Sequence, residues 1–219
     1  MNWRNLLREL IVAEHIVTAK QRSWFASMGI NEDVMSRSGP LGRVRLMPND
    51  PEPGLYTPTD CDRGDDGAVE AVVHAVLSRP LNSRLSGFDN FVDLVAWDPK
   101  RPDKWWLRMG GVATWIGAGA IMDAASEDWD EWLYGHPQPG LTLHQTPLDW
   151  LKAGARNDGA VVLQDGRRLW RDIFQGVKKI TVADTAFADV VYKKIKKRPP
   201  TAKLPEVWLD EKIKDEAAA

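Results

Sequence analysis

Apolar residues along this chain follow two periods, one helical and one extended. Trp3, Leu6, Leu7, Leu10, Val17, Trp24 and Met28 recur at spacings of three, four and seven, which gathers them near one face and predicts a helix over residues 2–28. Arg4, Arg8, Lys20 and Arg22 fall mostly elsewhere on it. Gly29 reads as the stop, and Asn31-Glu32-Asp33 as the cap and acidic first turn of a second helix ending near Ser36. From residue 38 to 110 the rhythm changes. Gly39-Pro40, Asn49-Asp50-Pro51 and Pro53-Gly54 punctuate short apolar runs. Residues 43–47 alternate, and the β-rich run 92–97 is expected to pair with 104–109 across Asp98-Pro99 and Arg101-Pro102, giving a mainly antiparallel sheet with hairpins. Residues 69–77 are apolar nearly throughout, and periodicity alone does not separate a buried strand from a helix there.

A glycine-rich junction at 110–119 leads into a helical pattern over 118–132, with Ile121, Met122, Ala125, Trp129 and Trp132 on one face. Strands and helices then alternate: strand 141–144, helix 147–154 entered through Thr146-Pro147, strand 160–163, helix 167–176, strand 180–183, and a helix opened by Asp184 and running to 197. This spacing implies crossover connections and a mostly parallel sheet. After Arg198, Pro199-Pro200 precedes an extended segment at 206–209 and a polar, frayed end. The chain therefore reads as α+β, with an N-terminal helical hairpin (1–37), a β-rich middle region (38–117), a C-terminal α/β layer (118–198) and an extended tail (199–219).

Of the 219 residues, 43% are apolar and 27% charged, the ordinary range of a globular chain that buries a core. A net charge of −2 supplies no global pull toward nucleic acid or anionic membrane, so such attraction rests on local patches. Cys61 is the single cysteine; no disulfide forms within the chain and no cysteine-built zinc site, a usage that fits a reducing cytoplasm. Residues 1–10 do not read as a signal peptide, and no window approaches the ~18 apolar residues of a spanning helix. The expectation is a cytoplasmic protein with no membrane partner. The eleven tryptophans read either as core and junction fillers or as a stacking surface for bases or a partner protein.

Two short motifs carry the candidate chemistry of the α/β layer: Leu148-Asp149-Trp150-Leu151, preceded by Gln145, and Ile180-Thr181-Val182-Ala183-Asp184-Thr185-Ala186. On these, and on its strand–helix order, the layer resembles the Toprim domain of primases and topoisomerases. The resemblance implies a catalytic Glu after the first strand and an Asp-x-Asp after a later one. Here Gln145 stands at the Glu position, four residues before Asp149, while Asp184 is kept and Ala186 replaces the second Asp. Mg²⁺ takes hard, charged oxygen ligands, and a Gln amide is neither charged nor a general base. Two-metal phosphoryl transfer is therefore not expected. The alternative is an ordinary α/β layer in which Asp184 caps its helix. The runs Val92-Asp93-Leu94-Val95-Ala96-Trp97, Lys104-Trp105-Trp106-Leu107-Arg108 and Pro147-Leu148-Asp149-Trp150-Leu151 further resemble primase-like proteins of bacterial phages and prophages, over residues 50–195. Together the resemblances imply a non-catalytic accessory protein of a phage or mobile element, acting in replication or DNA handling without a cofactor.

The basic run Lys193-Lys194-x-Lys196-Lys197-Arg198, with Lys178, Lys179 and Lys203, is the clustered-cation pattern from which phosphate recognition starts. On a helix Lys193, Lys194 and Lys197 share a flank, with Val190, Val191 and Ile195 toward the sheet. Trp105, Trp106 and Arg108 would suit base stacking if exposed. A lysine-rich helix end also balances the macrodipole and solvates a surface helix. The expected partner is DNA or RNA. The alternative is a phage or host protein, held by a Trp-rich surface in an inhibitor or assembly factor. A third reading is a hydrolase or nucleotidyl transferase with an acidic site drawn from Asp60, Asp62, Asp149, Asp184 and Asp189. Asp60-x-Asp62-x-x-Asp65-Asp66-Gly67 misses the ligand spacing of an EF-hand loop and reads as an acidic surface turn. His15, His74, His136 and His144 lack metal-ligand spacing, and only His144, beside Gln145, suggests acid–base chemistry.

Overall fold

A computed structural model describes residues 3–15, 17–39, 41–48, 54–58, 68–77, 91–126, 138–156, 158–163, 175–196 and 206–209. The acidic turn at 60–67, the helical pattern beyond 126, most of the helix read at 167–176, and Lys197, Arg198 and Lys203 lie outside these residues. Among the described residues the fold is α+β, with six helices and two sheets.

The N-terminal segment holds three helices rather than a hairpin of two: α1 (Trp3–His15), α2 (Ala19–Ser27) and α3 (Glu32–Ser38). The helix read over 2–28 is interrupted because Thr18 adopts an extended conformation (ψ 162°) and closes a capping box with Gln21. The Thr18 hydroxyl accepts the Gln21 backbone N–H, and the Gln21 side-chain oxygen accepts the Thr18 N–H in return. The Thr-x-x-Gln signal restarts a helix with its own satisfied donors. On α1, Leu6, Leu10 and Ala13 form the buried seam, at the helical spacing of one face. Asn31 accepts the Val34 N–H and starts α3, which ends at Gly39.

Strands β1 (Leu41–Pro48), β2 (Leu55–Pro58), β3 (Val69–Leu77), β4 (Phe91–Asp98) and β5 (Arg101–Arg108) close into a barrel in the order β1-β2-β5-β4-β3. The neighbours are antiparallel except β2 and β5, whose short parallel pairing of Leu55 with Leu107 and Tyr56 with Arg108 completes the closure. The ambiguous run 69–77 is strand β3, and it is apolar nearly throughout because both its faces are covered from Ala71 onward. Ala71, Val73, Ala75 and Leu77 join Leu6, Leu10, Ala13, Leu46, Tyr56 and Trp106 in one core. Val72 and Val76 turn the other way, toward Phe25, Ile30, Val34, Trp97 and Trp150. Gly42 makes the α1 contact possible: a Cβ there would sit 2.6 Å from the Ala13 Cβ.

The second sheet runs β10-β9-β7-β8-β6, built from β6 (Trp115–Ile116), β7 (Leu141–His144), β8 (Gly159–Val162), β9 (Lys179–Val182) and β10 (Glu206–Leu209). β6 is antiparallel to β8, and the other pairings are parallel. Helix α4 (Ala118–Ala125) precedes β7, α5 (Pro147–Lys152) links β7 to β8, and α6 (Thr185–Lys196) links β9 to β10. Ala120, Ile121 and Ala124 of α4 and Val191 and Ile195 of α6 share a core with Leu141, Leu143, Ile180 and Val182. Leu148, Trp150 and Leu151 of α5 instead join Val161, Leu163 and the barrel residues Val95 and Trp97. One apolar layer is thus common to barrel and sheet. Trp105 adds a directed tie, its indole N–H donating to the Leu163 carbonyl oxygen at 3.2 Å.

Candidate functional site

Parallel pairing of β7 with β9 sets Leu143 beside Val182, so the residues that follow both strands emerge at one carboxyl edge. The chain leaves β7 for β8 on one side, while β9 lies on the other. Such a switch point is where open α/β sheets characteristically place ligands. It brings Gln145 and Asp184 to neighbouring positions, with Asp149 and Ala186 on the first turns of α5 and α6. All four are exposed.

The two carboxylates there hold backbone. Asp149 Oδ2 accepts the Thr146 hydroxyl at 2.7 Å and the Thr146 N–H at 3.1 Å, while the Thr146 oxygen accepts the Asp149 N–H. Asp184 Oδ1 accepts the Phe187 N–H at 2.7 Å and caps α6. Among the described residues no group of three or more His, Cys, Asp or Glu side chains is disposed to hold a metal ion. The chemistry of this edge is therefore helix capping by two acids beside a neutral amide. Asp184→Ala should cost about 1 kcal/mol in denaturant unfolding, whereas Asp184→Asn, an equally good cap, should cost almost nothing. A loss of equal size in both variants would show that the charge, not the cap, matters.

The opposite edge of the sheet carries a group of lysines, with Glu206 of β10 in register beside Lys179. Helix α6 leaves the carboxyl end of β9 and returns across the sheet, with Val191 and Ile195 buried at 0% and 2% exposure. Because α6 joins the parallel strands β9 and β10, its last turn, with Lys193, Lys194 and Lys196, runs back toward the edge where Lys178 and Lys179 lead into β9. Lys178, Lys179 and Lys193 are exposed and Lys194 is half-buried. Val190, read from the sequence as facing the sheet, is instead 45% exposed and lies on the lysine flank. Tyr192, 49% exposed on the same helix, was missed by the sequence reading. Its signal was an aromatic one residue from a buried valine and beside the lysine pair.

The aromatic part of the expected nucleic-acid surface is corrected. Trp105, Trp106 and Arg108 lie on β5 of the barrel and do not offer a stacking platform. Trp106 is 2% exposed, and the Lys104 ammonium stands over its ring, 5.1 Å from the centroid. Trp105 is half-buried and hydrogen-bonded. Arg108 donates to the Glu9 carboxylate of α1 at 2.7 Å. Alternation along a strand puts Trp105 and Trp106 on opposite faces, and each face of β5 is covered. Trp97 and Trp150 are also buried and Trp24 and Trp115 half-buried, so among the tryptophans with described side chains none is exposed.

Two buried groups titrate abnormally. Burial pushes the Tyr56 hydroxyl well above its ordinary range; the Glu9 carboxylate beside it adds to the rise, and Arg108 opposes it. His74 is fully enclosed in β3, its ring stacked against Trp150 at 6.1 Å. Desolvation lowers its pKa to about 4, against a smaller opposite effect of the Ala75 carbonyl. That carbonyl lies 3.0 Å from Nδ1, which fixes the proton there, and among the described residues Nε2 has no hydrogen-bond partner.

The architecture is that of an α+β protein that joins a closed barrel to a mixed sheet. No known protein family, curated protein or solved structure matches the chain. Among the described residues no helix is long and apolar enough to cross a membrane.

Proposed function

We propose that this chain is a non-catalytic accessory protein that binds nucleic-acid backbone through the basic edge of its α/β layer, in the replication or DNA handling of a phage or mobile element. The layer serves, on this reading, as a Toprim-like scaffold whose acidic edge has lost its metal chemistry. What supports the proposal is that α6 joins the parallel strands β9 and β10, so its last turn, with Lys193 and Lys194, runs back toward the edge bearing Lys178 and Lys179. Two clusters separated in sequence thereby make one cationic surface on a chain whose net charge is −2, and a local field of that kind selects phosphate without attracting anions everywhere. Tyr192 takes the aromatic role that Trp105 and Trp106 are too covered to fill. Gln145 and Ala186 at the carboxyl edge support binding without cleavage, since neither offers a charged ligand to a divalent ion.

The test is fluorescence anisotropy of labelled single- and double-stranded DNA across a salt series, with Lys178, Lys179, Lys193 and Lys194 changed together to Gln. Four phosphate contacts give a log–log salt slope of about −3.6 on duplex. The wild type should bind at ~50 mM salt and weaken steeply, and the variant should lose most of both affinity and slope. Absence of wild-type binding at ~50 mM salt, or an unchanged slope in the variant, sinks the proposal.

A further inference from the structure

The α2 helix does not lie flush on the barrel. Between them is a pocket of about 310 Å³ lined by Val17, Gln21, Trp24, Phe25, Arg43, Val72, Pro99 and Lys100, at the small end of the ~300–1,000 Å³ range of ligand sites. Its apolar wall is Trp24, Phe25 and Val72, with Trp24 braced at 5.2 Å from Phe25 and 6.4 Å from Trp97 between ring centroids. A braced indole presents a flat surface at little cost in side-chain entropy. The polar lining consists of donors. Gln21 has its oxygen committed to Thr18, so its amide offers only NH₂. Arg43 is paired with Glu70 through one nitrogen, which leaves its other donors. Lys100 is exposed at the tip of the β4–β5 turn.

We propose that this pocket binds a small monoanion with a flat apolar body, of the aromatic carboxylate class, the ring against Trp24 and the carboxylate between Lys100 and Arg43. Lys100 and Arg43 supply the positive charge that an anion would match, and the Arg43–Glu70 pair reduces it. Glu70 belongs to the same field: its carboxyl is held below the usual range first by the Arg43 hydrogen bond, with Arg45 and Lys100 contributing. The lysines of the basic edge are not part of the pocket, so this site stands or falls independently of nucleic-acid binding.

The test titrates phenylacetate, and separately the neutral phenylacetamide, into the ¹⁵N-labelled full chain and follows backbone and indole N–H signals. Phenylacetate should give saturable shifts centred on Val17, Trp24, Phe25 and Val72, and phenylacetamide should bind more weakly. Lys100→Gln removes an attractive charge and should weaken phenylacetate binding about threefold, while Glu70→Gln removes a repulsive one and should tighten it by a similar factor. Opposite signs from two surface positions are not what general damage to the fold produces. Shifts that do not saturate, equal binding of the amide, or both variants moving affinity the same way would overturn the proposal.

Discussion

Asp93→Ala lowers the unfolding free energy by about 3–5 kcal/mol, because one buried carboxylate holds the joint between barrel and sheet. Asp93 is 0% exposed on β4. Its Oδ1 accepts the Leu94 N–H at 2.8 Å, and its Oδ2 accepts the N–H groups of Val112 and Ala113 at 2.7 and 3.0 Å. These bonds fix the segment that leaves β5 and enters β6, where Trp115 and Ile116 pair with Val162 and Val161. Leu163 completes the junction by donating its N–H to the Thr114 carbonyl oxygen at 2.9 Å. Alanine would remove the carboxylate acceptor from three backbone donors, at least one in a buried site, and hydrogen bonds to a charged acceptor are worth ~1.5–3 kcal/mol each. Asparagine keeps one acceptor oxygen but turns an NH₂ toward donors at the other position, so Asp93→Asn should fall between wild type and Asp93→Ala. Gly111 is required by the same arrangement, since a Cβ there would overlap the Asp93 carboxylate. Urea unfolding measures the loss, and hydrogen exchange localises it. The amides of Val112 and Ala113 should lose protection before those of β3. Stability unchanged in Asp93→Ala would rule out this role.

The second large effect depends on pH. His74 is neutral in the fold with a pKa of about 4, against an ordinary 6.5, so the unfolded chain takes up a proton that the folded chain refuses. Stability from this residue is therefore complete above pH ~6.5 and is lost as pH falls toward 4, a total of about 3 kcal/mol. Most of that is gone by pH 4.5. Other carboxylates also titrate in this window, so the measurement is the difference between wild type and His74→Leu at pH 7 and 4.5. The variant loses packing against Trp150 at both values, and its stability should fall less steeply with acid. Equal falls in the two proteins would mean that His74 is protonated without cost in the fold.

The sequence carried the local half of this description. The β4–β5 hairpin follows from the runs 92–97 and 104–109 across Asp98-Pro99 and Arg101-Pro102, although β5 already begins at Arg101. The β7–α5–β8 and β9–α6 units follow from apolar strands, Thr146-Pro147 and Asp184. These are signals read within a few residues of where they act, through φ restriction, side-chain capping and the spacing of apolar positions. The Thr18–Gln21 capping box was equally local and was passed over because the apolar periodicity ran straight through it. The placement of Gln145 near Asp184 was also accessible, since parallel crossovers return successive strands to one edge.

What the sequence could not decide was long-range. Nothing local shows that Leu55–Pro58 pairs with β5 and closes a barrel, that Trp115–Ile116 crosses to the second sheet, or that Glu206–Leu209 adds to β9. Burial is non-local for the same reason. Trp105, Trp106 and Arg108 look alike along the strand as candidate contacts, and α1 and Leu163, at 99 and 58 residues' remove, take up Arg108 and Trp105. The lysines differ because their clustering is a local pattern, legible along the chain before anything is known of what packs nearby. The sequence alone therefore determined most of the strands and helices and the clustering of the lysines. The tertiary structure decided which aromatic and ionic groups are consumed by the core, because desolvation depends on what distant parts of the chain bring against them.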